Sequence, residues 1–253
     1  MRRLLAPVFL LAALSVPAAA HAQDYEREAR WDTQTMQMLM VGDAVRLQQK
    51  NGHRFLALFT QATNARGAVV VAHGRGWSPD YDLYGALRTA IADAGYSTLS
   101  IQMPVLPSTA KLGDYVPLFP DADERLALAI DWLRARGYRR IAIVSHSLGA
   151  TMANHYLIRA PDKTVDAWVF ISIINGLEDL FRLKMPVLDV FGAQDWDVTR
   201  VGADERRAQL QKLPGSQQVV IPDAQHFFEG KQDELAQVIV AFLDRALGTG
   251  AKQ

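Results

Sequence analysis

One short stretch, residues 140–151, constrains this chain more than any other. Residues 141–144 read I-A-I-V, with charged residues before them and small polar residues after them, which is typical of a strand buried on both faces. Residues 145–149, S-H-S-L-G, form a turn, and residues 150–154 are compatible with a helix. The stretch therefore predicts a buried strand, a tight turn and a helix in direct succession.

Ser147 stands at the apex of this turn and is a candidate nucleophile. A serine between a strand and a helix has its hydroxyl lifted clear of the backbone, and the start of the helix favours developing negative charge. The N–H of Leu148 is placed to stabilise an oxyanion, and Ser145 and Gly149 are small enough for a sharp turn. The pattern S-x-S-x-G is weak by itself, because an ordinary strand–helix turn reads the same way.

The N-terminal segment, residues 1–22, has the pattern of a cleavable signal peptide. Arg2 and Arg3 precede an apolar run that is too short to span a membrane, and residues 20–22 form an A-x-A site. We expect cleavage after Ala22, a periplasmic or secreted protein, and no stable membrane anchor. An uncleaved anchor helix is the alternative.

The charge balance and the cysteine content exclude several classes of protein. Removal of residues 1–22 takes away two of the 27 basic residues and none of the 27 acidic ones, so the mature chain is slightly acidic. Such a chain has no electrostatic basis for binding nucleic acid. It has no cysteine, so its core must hold it together without disulfides. We also expect no metal and no cofactor, because no metal-ligand spacing or dinucleotide fingerprint is present.

The rest of the chain alternates predicted strands with predicted helices. We expect an arm at residues 23–40, one α/β domain at residues 41–247 and a tail at residues 248–253. Strand–helix alternation predicts a mostly parallel sheet with helices on both faces. An Asn-Gly turn at residues 51–52 predicts a hairpin that makes the first strand antiparallel.

Four polar side chains follow four predicted strands: His73, Ser147, Asp195 and His226. The carboxyl ends of parallel strands share one edge of a sheet, and binding sites of such sheets lie there. The sequence therefore predicts that residues far apart along the chain meet at one edge.

Three motifs make the chain resemble the α/β-hydrolase superfamily over residues 41–247. They are S-H-S-L-G at the elbow, G-A-Q-D-W-D-V around Asp195 and D-A-Q-H-F-F around His226. The order Ser, Asp, His agrees with that fold. More specifically, H-G-R-G-W-S-P-D, T-L-S-I-Q-M-P and S-H-S-L-G-A look like an uncharacterised bacterial family of exported α/β-hydrolase-like proteins. Ser145 departs from the superfamily, which usually has Gly there.

The resemblance implies an α/β-hydrolase fold with a sheet of about eight strands and a minimal or absent cap. It also implies a catalytic triad: Ser147 as nucleophile, His226 as base and Asp195 as the residue that orients His226. Asp197 competes with Asp195 for the acid role. The oxyanion hole would be formed by the backbone N–H groups of Leu148 and Arg75.

Several other polar residues have structural interpretations. We expect Asp189 to be hydrogen-bonded within the sheet and His73 to be a hydrogen-bonding turn residue. His146 and His155 should be packed or solvated. The Arg75 guanidinium could meet an acidic substrate group, but pairing with Asp80 or exposure to solvent is the alternative.

These expectations point to a serine hydrolase that cleaves small-molecule carboxylic esters through an acyl-enzyme intermediate. A thioesterase or peptidase with the same triad fits equally well, because loop shape sets the substrate. A non-catalytic envelope protein that uses the fold to bind a partner is a further alternative. No feature of the sequence predicts an oligomeric state.

Overall fold

A computed structural model describes residues 23–174, 177 and 179–248 of the chain. The predicted signal peptide, residues 1–22, lies outside the described residues, as does the predicted tail apart from Gly248. In the described part, no helix combines the length and the apolar character needed to cross a membrane.

In the described part of the chain, eight strands and seven α-helices follow one another in the order that strand–helix alternation predicts. The strands are β1 (Asp43–Gln48), β2 (Arg54–Thr60), β3 (Gly67–Ala72), β4 (Tyr96–Ile101), β5 (Ile141–His146), β6 (Ala167–Ile171), β7 (Val187–Gly192) and β8 (Gln217–Ile221). The helices are α1 (Tyr25–Met38), α2 (Leu83–Asp93), α3 (Phe119–Ala135), α4 (Leu148–Leu157), α5 (Asp197–Arg200), α6 (Ala203–Leu210) and α7 (Gln232–Leu247).

The strands form one sheet in the order β1-β2-β4-β3-β5-β6-β7-β8. From β4 to β8 every neighbouring pair is parallel, so the prediction of a mostly parallel sheet of about eight strands is confirmed. The prediction that the first strand runs against the others is wrong. Strand β2 is antiparallel to both β1 and β4, so β2 is the reversed strand and β1 runs with the rest.

Helices cover both faces of the sheet, and the alternation of side chains along β3 shows why both faces are apolar. Ala68, Val70 and Ala72 face the core that α3 and α4 cover, whereas Val69 and Val71 face the core beneath α2 and α7. Every residue of β3 is buried. A strand buried on both faces must be continuously apolar, which is the pattern seen in the sequence.

Helix α1, in the predicted arm, is attached to the domain by a buried ion pair. The Glu28 carboxylate contacts both terminal nitrogens of Arg125 on α3, at 3.0 and 3.2 Å. Arg125 is fully buried, and it also donates to the carbonyl of Gln102 just beyond β4. A buried arginine needs such partners, because an unpaired buried charge is strongly destabilising.

The sequence predicts a long loop at residues 103–120 and a helix at residues 121–136. The structure has a 3-10 helix, Leu112–Leu118, within that loop, and it leads directly into α3, which starts at Phe119. Strand β6 ends at Ile171 because Ser172 has a φ of +48° and leaves the extended conformation. Within the described residues, the β6–β7 connection holds one short 3-10 helix, Leu180–Arg182, and no cap is built there.

Candidate active site

Ser147 lies between β5 and α4 in a backbone conformation that non-glycine residues rarely adopt. Its φ is +55° and its ψ is −124°. Such strain is held in place by the surrounding structure and is typical of functional positions. The Ser147 N–H is fixed by a 2.9 Å hydrogen bond to the carbonyl of Ile171 on the neighbouring strand.

The turn requires small residues at its flanks. A Cβ on Gly149 would lie 2.3 Å from the His73 carbonyl oxygen, so any side chain there would push α4 away from β3. Ser145 is accommodated where the superfamily usually has Gly, because its hydroxyl accepts a 2.9 Å hydrogen bond from the Trp168 indole and lies 3.3 Å from the Val169 carbonyl oxygen. The added hydroxyl therefore has partners in the core.

The structure brings Ser147, His226 and Asp195 into one hydrogen-bonded chain. The Ser147 Oγ lies 3.0 Å from His226 Nε2, and His226 Nδ1 lies 2.7 Å from Asp195 Oδ1. All three residues are buried. A carboxylate at Nδ1 fixes the proton on that nitrogen, so Nε2 is free to accept the serine proton.

Three hydrogen-bond donors contact the Asp195 carboxylate and keep it ionised. Burial disfavours the carboxylate, but hydrogen bonds from His226, Ser172 and the Trp196 N–H outweigh it and hold the pKa of Asp195 below its ordinary value. The competing residue, Asp197, is exposed and pairs with Arg200. Of the two aspartates, Asp195 is the one that contacts His226.

A close contact between two loops makes this geometry possible. A Cβ on Gly192 would lie 2.1 Å from the Ala224 carbonyl oxygen. The turn after β7, which carries Asp195, therefore packs directly on the turn after β8, which carries His226.

The two proposed oxyanion donors lie on segments that meet at Ser147. Leu148 is the first residue of α4, and within the described part of the chain its N–H has no partner. The loop that carries Arg75 also reaches Ser147, because a Cβ on Gly74 would lie 3.1 Å from Ser147 Cβ. The arrangement is compatible with an oxyanion hole formed by the N–H groups of Leu148 and Arg75.

His146 connects His226 to this loop. Its Nε2 lies 2.9 Å from the His226 carbonyl oxygen, and its Nδ1 lies 2.9 Å from the Tyr84 hydroxyl. That hydroxyl accepts a hydrogen bond from the Gly74 N–H. Burial, together with the nearby His226, lowers the pKa of His146 to about 3, so its ring is neutral at ordinary pH. A neutral ring can donate from Nε2 and accept at Nδ1, as these contacts require.

Trp196 covers the face of the His226 ring. The two rings are stacked, with centroids 3.6 Å apart and planes 9° apart. An indole in this position restricts rotation of the imidazole ring. The other face of the indole is partly open, since Trp196 is 49% exposed.

A cavity of about 250 Å³ opens above Ser147. Its walls are largely aromatic and aliphatic, with Trp77, Leu112, Ile174, Trp196 and Phe227 among the lining residues. An apolar pocket with a few polar groups at one end is typical of sites for small organic ligands.

Helix α1 holds the loop that carries Arg75. The carbonyl of Gly76 accepts hydrogen bonds from Arg27 Nη2 at 3.0 Å and from Trp31 Nε1 at 2.9 Å. Arg27 Nη1 donates to the carbonyl of Leu106 on the facing loop. The segment at residues 23–40 therefore fixes one side of the candidate site.

The remaining predicted residues lie outside the hydrogen-bonded chain. His73 is a buried turn residue: its Nδ1 contacts the Gly74 carbonyl oxygen, its Nε2 accepts from the Met103 N–H, and burial lowers its pKa to about 3. His155 pairs with Asp123 near the surface. Asp189 is buried and accepts from Arg206 and Gln218, which is the structural arrangement expected for it.

Of the two alternatives for Arg75, pairing with Asp80 does not occur, whereas exposure of its side chain does. Asp80 pairs with Arg88 at 2.6 Å, while the exposed Arg75 guanidinium lies 3.3 Å from the Ala110 carbonyl oxygen. No group of three or more histidine, aspartate and glutamate side chains is placed to hold a metal within the described ranges.

Sequence reasoning missed three parts of the site: the Ser172 contact with Asp195, the Trp196 stack on His226, and the link from Tyr84 through His146. Ser172 could have been noticed as a small polar residue directly after a buried strand, and Trp196 as the neighbour of Asp195. The Tyr84–His146 contact joins residues 62 positions apart, and no local pattern signals it.

Solved structures with a similar fold support the architecture. A dienelactone hydrolase from Anabaena variabilis has 23% identity and a TM-score of 0.65, covering 81% of this chain and 97% of its own. An esterase from Pyrococcus furiosus has 17% identity and a TM-score of 0.68, covering 85% and 94%. An α/β serine hydrolase without a lid from Xanthomonas campestris has 16% identity and a TM-score of 0.66, covering 83% and 97%. At these identities the likeness establishes the α/β-hydrolase fold.

Comparison by sequence identifies the family. No curated protein matches the chain. A family described as "Protein of unknown function (DUF3530)" matches residues 4–116 and 121–245, which is nearly the whole chain. The chain therefore belongs to the DUF3530 family, and its fold is that of an α/β hydrolase.

Proposed function

We propose that this protein is a serine hydrolase that cleaves small-molecule carboxylic esters through an acyl-enzyme intermediate. The observation that carries the proposal is the continuous contact from Ser147 Oγ through the His226 ring to the Asp195 carboxylate. This contact lies at the floor of an open apolar cavity, where a substrate carbonyl can approach the serine.

The geometry supports a two-step reaction. Ser147 Oγ attacks the ester carbonyl carbon while its proton passes to His226 Nε2, and the N–H groups of Leu148 and Arg75 stabilise the oxyanion. Collapse of the intermediate breaks the bond to the alcohol oxygen, which takes the proton from His226. A water molecule then attacks the acyl-enzyme with the same histidine as base, releasing the acid and restoring Ser147.

Two features stabilise the charge that forms on His226 in both steps. Asp195 is kept ionised by its three donors, and the indole of Trp196 lies parallel to the imidazole. Both lie against the ring at the moment when it holds the proton taken from Ser147. The neutral His146 fixes the position of the His226 backbone without adding a second positive charge.

We also propose that the protein acts outside the cytoplasm. The pattern of residues 1–22 favours action in the periplasm or outside the cell, on the mature chain that starts at Gln23. N-terminal sequencing of the protein from the cell envelope should find Gln23 first, and an intact Met1 would contradict this part of the proposal.

Two neighbouring serines provide a matched test. Ser147→Ala should reduce hydrolysis of 4-nitrophenyl butyrate to the background rate, because loss of a serine nucleophile costs on the order of 10⁶-fold in kcat. Ser145→Ala removes an equally buried hydroxyl that contacts Trp168 instead of His226, so it should keep most of the activity. Circular dichroism checks that both variants fold.

The outcome separates enzyme from binding protein. Turnover that survives in Ser147→Ala would refute the assignment of the nucleophile. If the folded wild-type protein hydrolyses no ester, thioester or amide, the hydrolase proposal is refuted and a non-catalytic binding role is favoured.

A further inference from the structure

A second cavity adjoins the one above Ser147. Its volume is about 150 Å³, and it shares Arg75 and Trp77 with the first cavity. Arg27, Ser108 and Tyr115 line its other sides. Arg75 and Trp77 therefore border both spaces.

The second cavity carries two arginines that have no carboxylate partner among the described residues. Arg27 contacts the carbonyl oxygens of Leu106 and Gly76, and Arg75 contacts only that of Ala110 among the described residues. Neither forms an ion pair in the described part of the chain. The neighbouring Glu28 is paired with Arg125, and Asp24 caps α1 by accepting the Arg27 N–H.

Several other arginines of the domain form ion pairs. Buried or half-buried ion pairs neutralise several of them: Arg46 with Asp32, Arg66 with Asp244, Arg88 with Asp80, Arg125 with Glu28 and Arg206 with Asp189. The two arginines beside the candidate nucleophile thus differ from these, and their charge is available to a ligand.

The Tyr115 hydroxyl is a further hydrogen-bond donor in the lining of the second cavity. The Tyr115 hydroxyl is buried and accepts the Leu106 N–H at 3.2 Å, which leaves its own proton for another acceptor. Among the residues described, no acceptor lies against that proton. Guanidinium and hydroxyl donors around one small space are suited to a carboxylate, which can accept several hydrogen bonds at once.

We propose that the substrate is an anionic ester whose carboxylate binds in this second cavity, between Arg75 and Arg27, while its ester carbonyl lies at Ser147. The inference rests on the proposed hydrolase function and narrows its substrate class. Arg75 then has two separate roles, with its backbone N–H at the oxyanion and its guanidinium at the substrate carboxylate.

The test compares matched charged and neutral substrates. The 4-nitrophenyl hemiester of adipic acid is compared with the 4-nitrophenyl ester of hexanoic acid, and 3-carboxy-4-nitrophenyl butyrate with 4-nitrophenyl butyrate. The first pair places the carboxylate on the acyl side and the second places it on the leaving group. We expect wild-type kcat/KM to favour the anionic member of one pair by about tenfold or more, as for a hydrogen bond to a charged group.

The preference should depend on the guanidinium of Arg75. In Arg75→Gln the anionic-to-neutral ratio of kcat/KM should fall towards one, in Arg75→Lys it should be partly kept, and in Arg75→Glu it should invert. Arg139→Gln is the matched control, because Arg139 is an exposed arginine before β5, away from both cavities, and it should leave the ratio unchanged.

Failure of this inference is distinguishable from failure of the proposed function. Hydrolysis of neutral esters with no preference for either anionic ester would overturn the carboxylate site and leave the hydrolase proposal standing. If no ester is hydrolysed, calorimetry of adipate binding decides whether the carboxylate site exists. Binding that is lost in Arg75→Gln supports the site, and absence of binding to the wild-type protein overturns it.

Discussion

Replacing Asp195 with asparagine tests the charge that the site places next to His226. The carboxylate accepts from the His226 ring at 2.7 Å and from the Trp196 N–H at 2.6 Å, both at Oδ1, while Oδ2 accepts from Ser172. An asparagine can keep the first two contacts with its oxygen, and its amide group can donate to the Ser172 hydroxyl. Asp195→Asn therefore removes the charge with little change in shape.

The expected fall in kcat follows from the attraction between the Asp195 carboxylate and the His226 imidazolium. Opposite charges about 4 Å apart attract by about 4 kcal/mol at an effective dielectric constant of about 20, which corresponds to about 10³-fold in rate. If the amide turns its NH₂ group towards His226, the ring takes the wrong tautomer, and the loss approaches the 10⁴-fold known for a triad aspartate. We therefore expect kcat for 4-nitrophenyl butyrate to fall by about 10³- to 10⁴-fold.

Asp197→Asn is the matched control, because this exposed aspartate lies two residues further along and pairs only with Arg200 among the described residues. It should change kcat by less than about twofold, as expected for an exposed ion pair. The measurement is steady-state hydrolysis, with thermal unfolding to confirm that both variants fold. Retention of a tenth or more of the activity in Asp195→Asn, or a large loss in Asp197→Asn, would refute the reasoning.

Two further predictions concern the supports of the site. Trp31→Phe removes one of the two side-chain donors to the Gly76 carbonyl, so we expect a loss of about 1 kcal/mol in unfolding free energy and a several-fold fall in kcat, whereas Thr33→Ala on the exposed side of α1 should change neither. An unchanged kcat in Trp31→Phe would contradict a role for α1 in holding the loop. The second prediction concerns pH: burial lowers the pKa of His146 from 6.5 to about 3, so its contribution is fully present above about pH 6.5 and is lost as pH falls towards 3. The unfolding free energy of the wild-type protein, measured with urea, should therefore fall by about 1 kcal/mol more than that of His146→Gln between about pH 6 and pH 5, and parallel curves would contradict a neutral, buried His146.

The strand–helix alternation was predictable because it follows from local apolar patterns. The sequence predicts strands at residues 54–60 and 217–221, and β2 and β8 have these ends, because charged or turn-forming residues border each of them. The reversed strand was predicted wrongly, because a hairpin fixes only the relative direction of β1 and β2. Which of them runs against the sheet depends on the long-range pairing of β2 with β4.

The candidate site was predictable only in part. Parallel strands carry the residues after their carboxyl ends to one edge, so the meeting of segments around Ser147, Asp195 and His226 could be foreseen from topology. Contacts that bind these residues to their surroundings could not, because the stack of Trp196 on His226 depends on how two loops pack. The catalytic roles themselves stay predictions that kinetics must test.

The most direct test of the central claim is covalent labelling of the folded protein with a fluorophosphonate. If Ser147 is activated by His226, mass spectrometry of the digested protein should find one phosphonate adduct, on Ser147. Labelling should disappear in Ser147→Ala and slow strongly in His226→Gln. A folded wild-type protein that remains unlabelled, or that carries its adduct on another residue, would contradict the account.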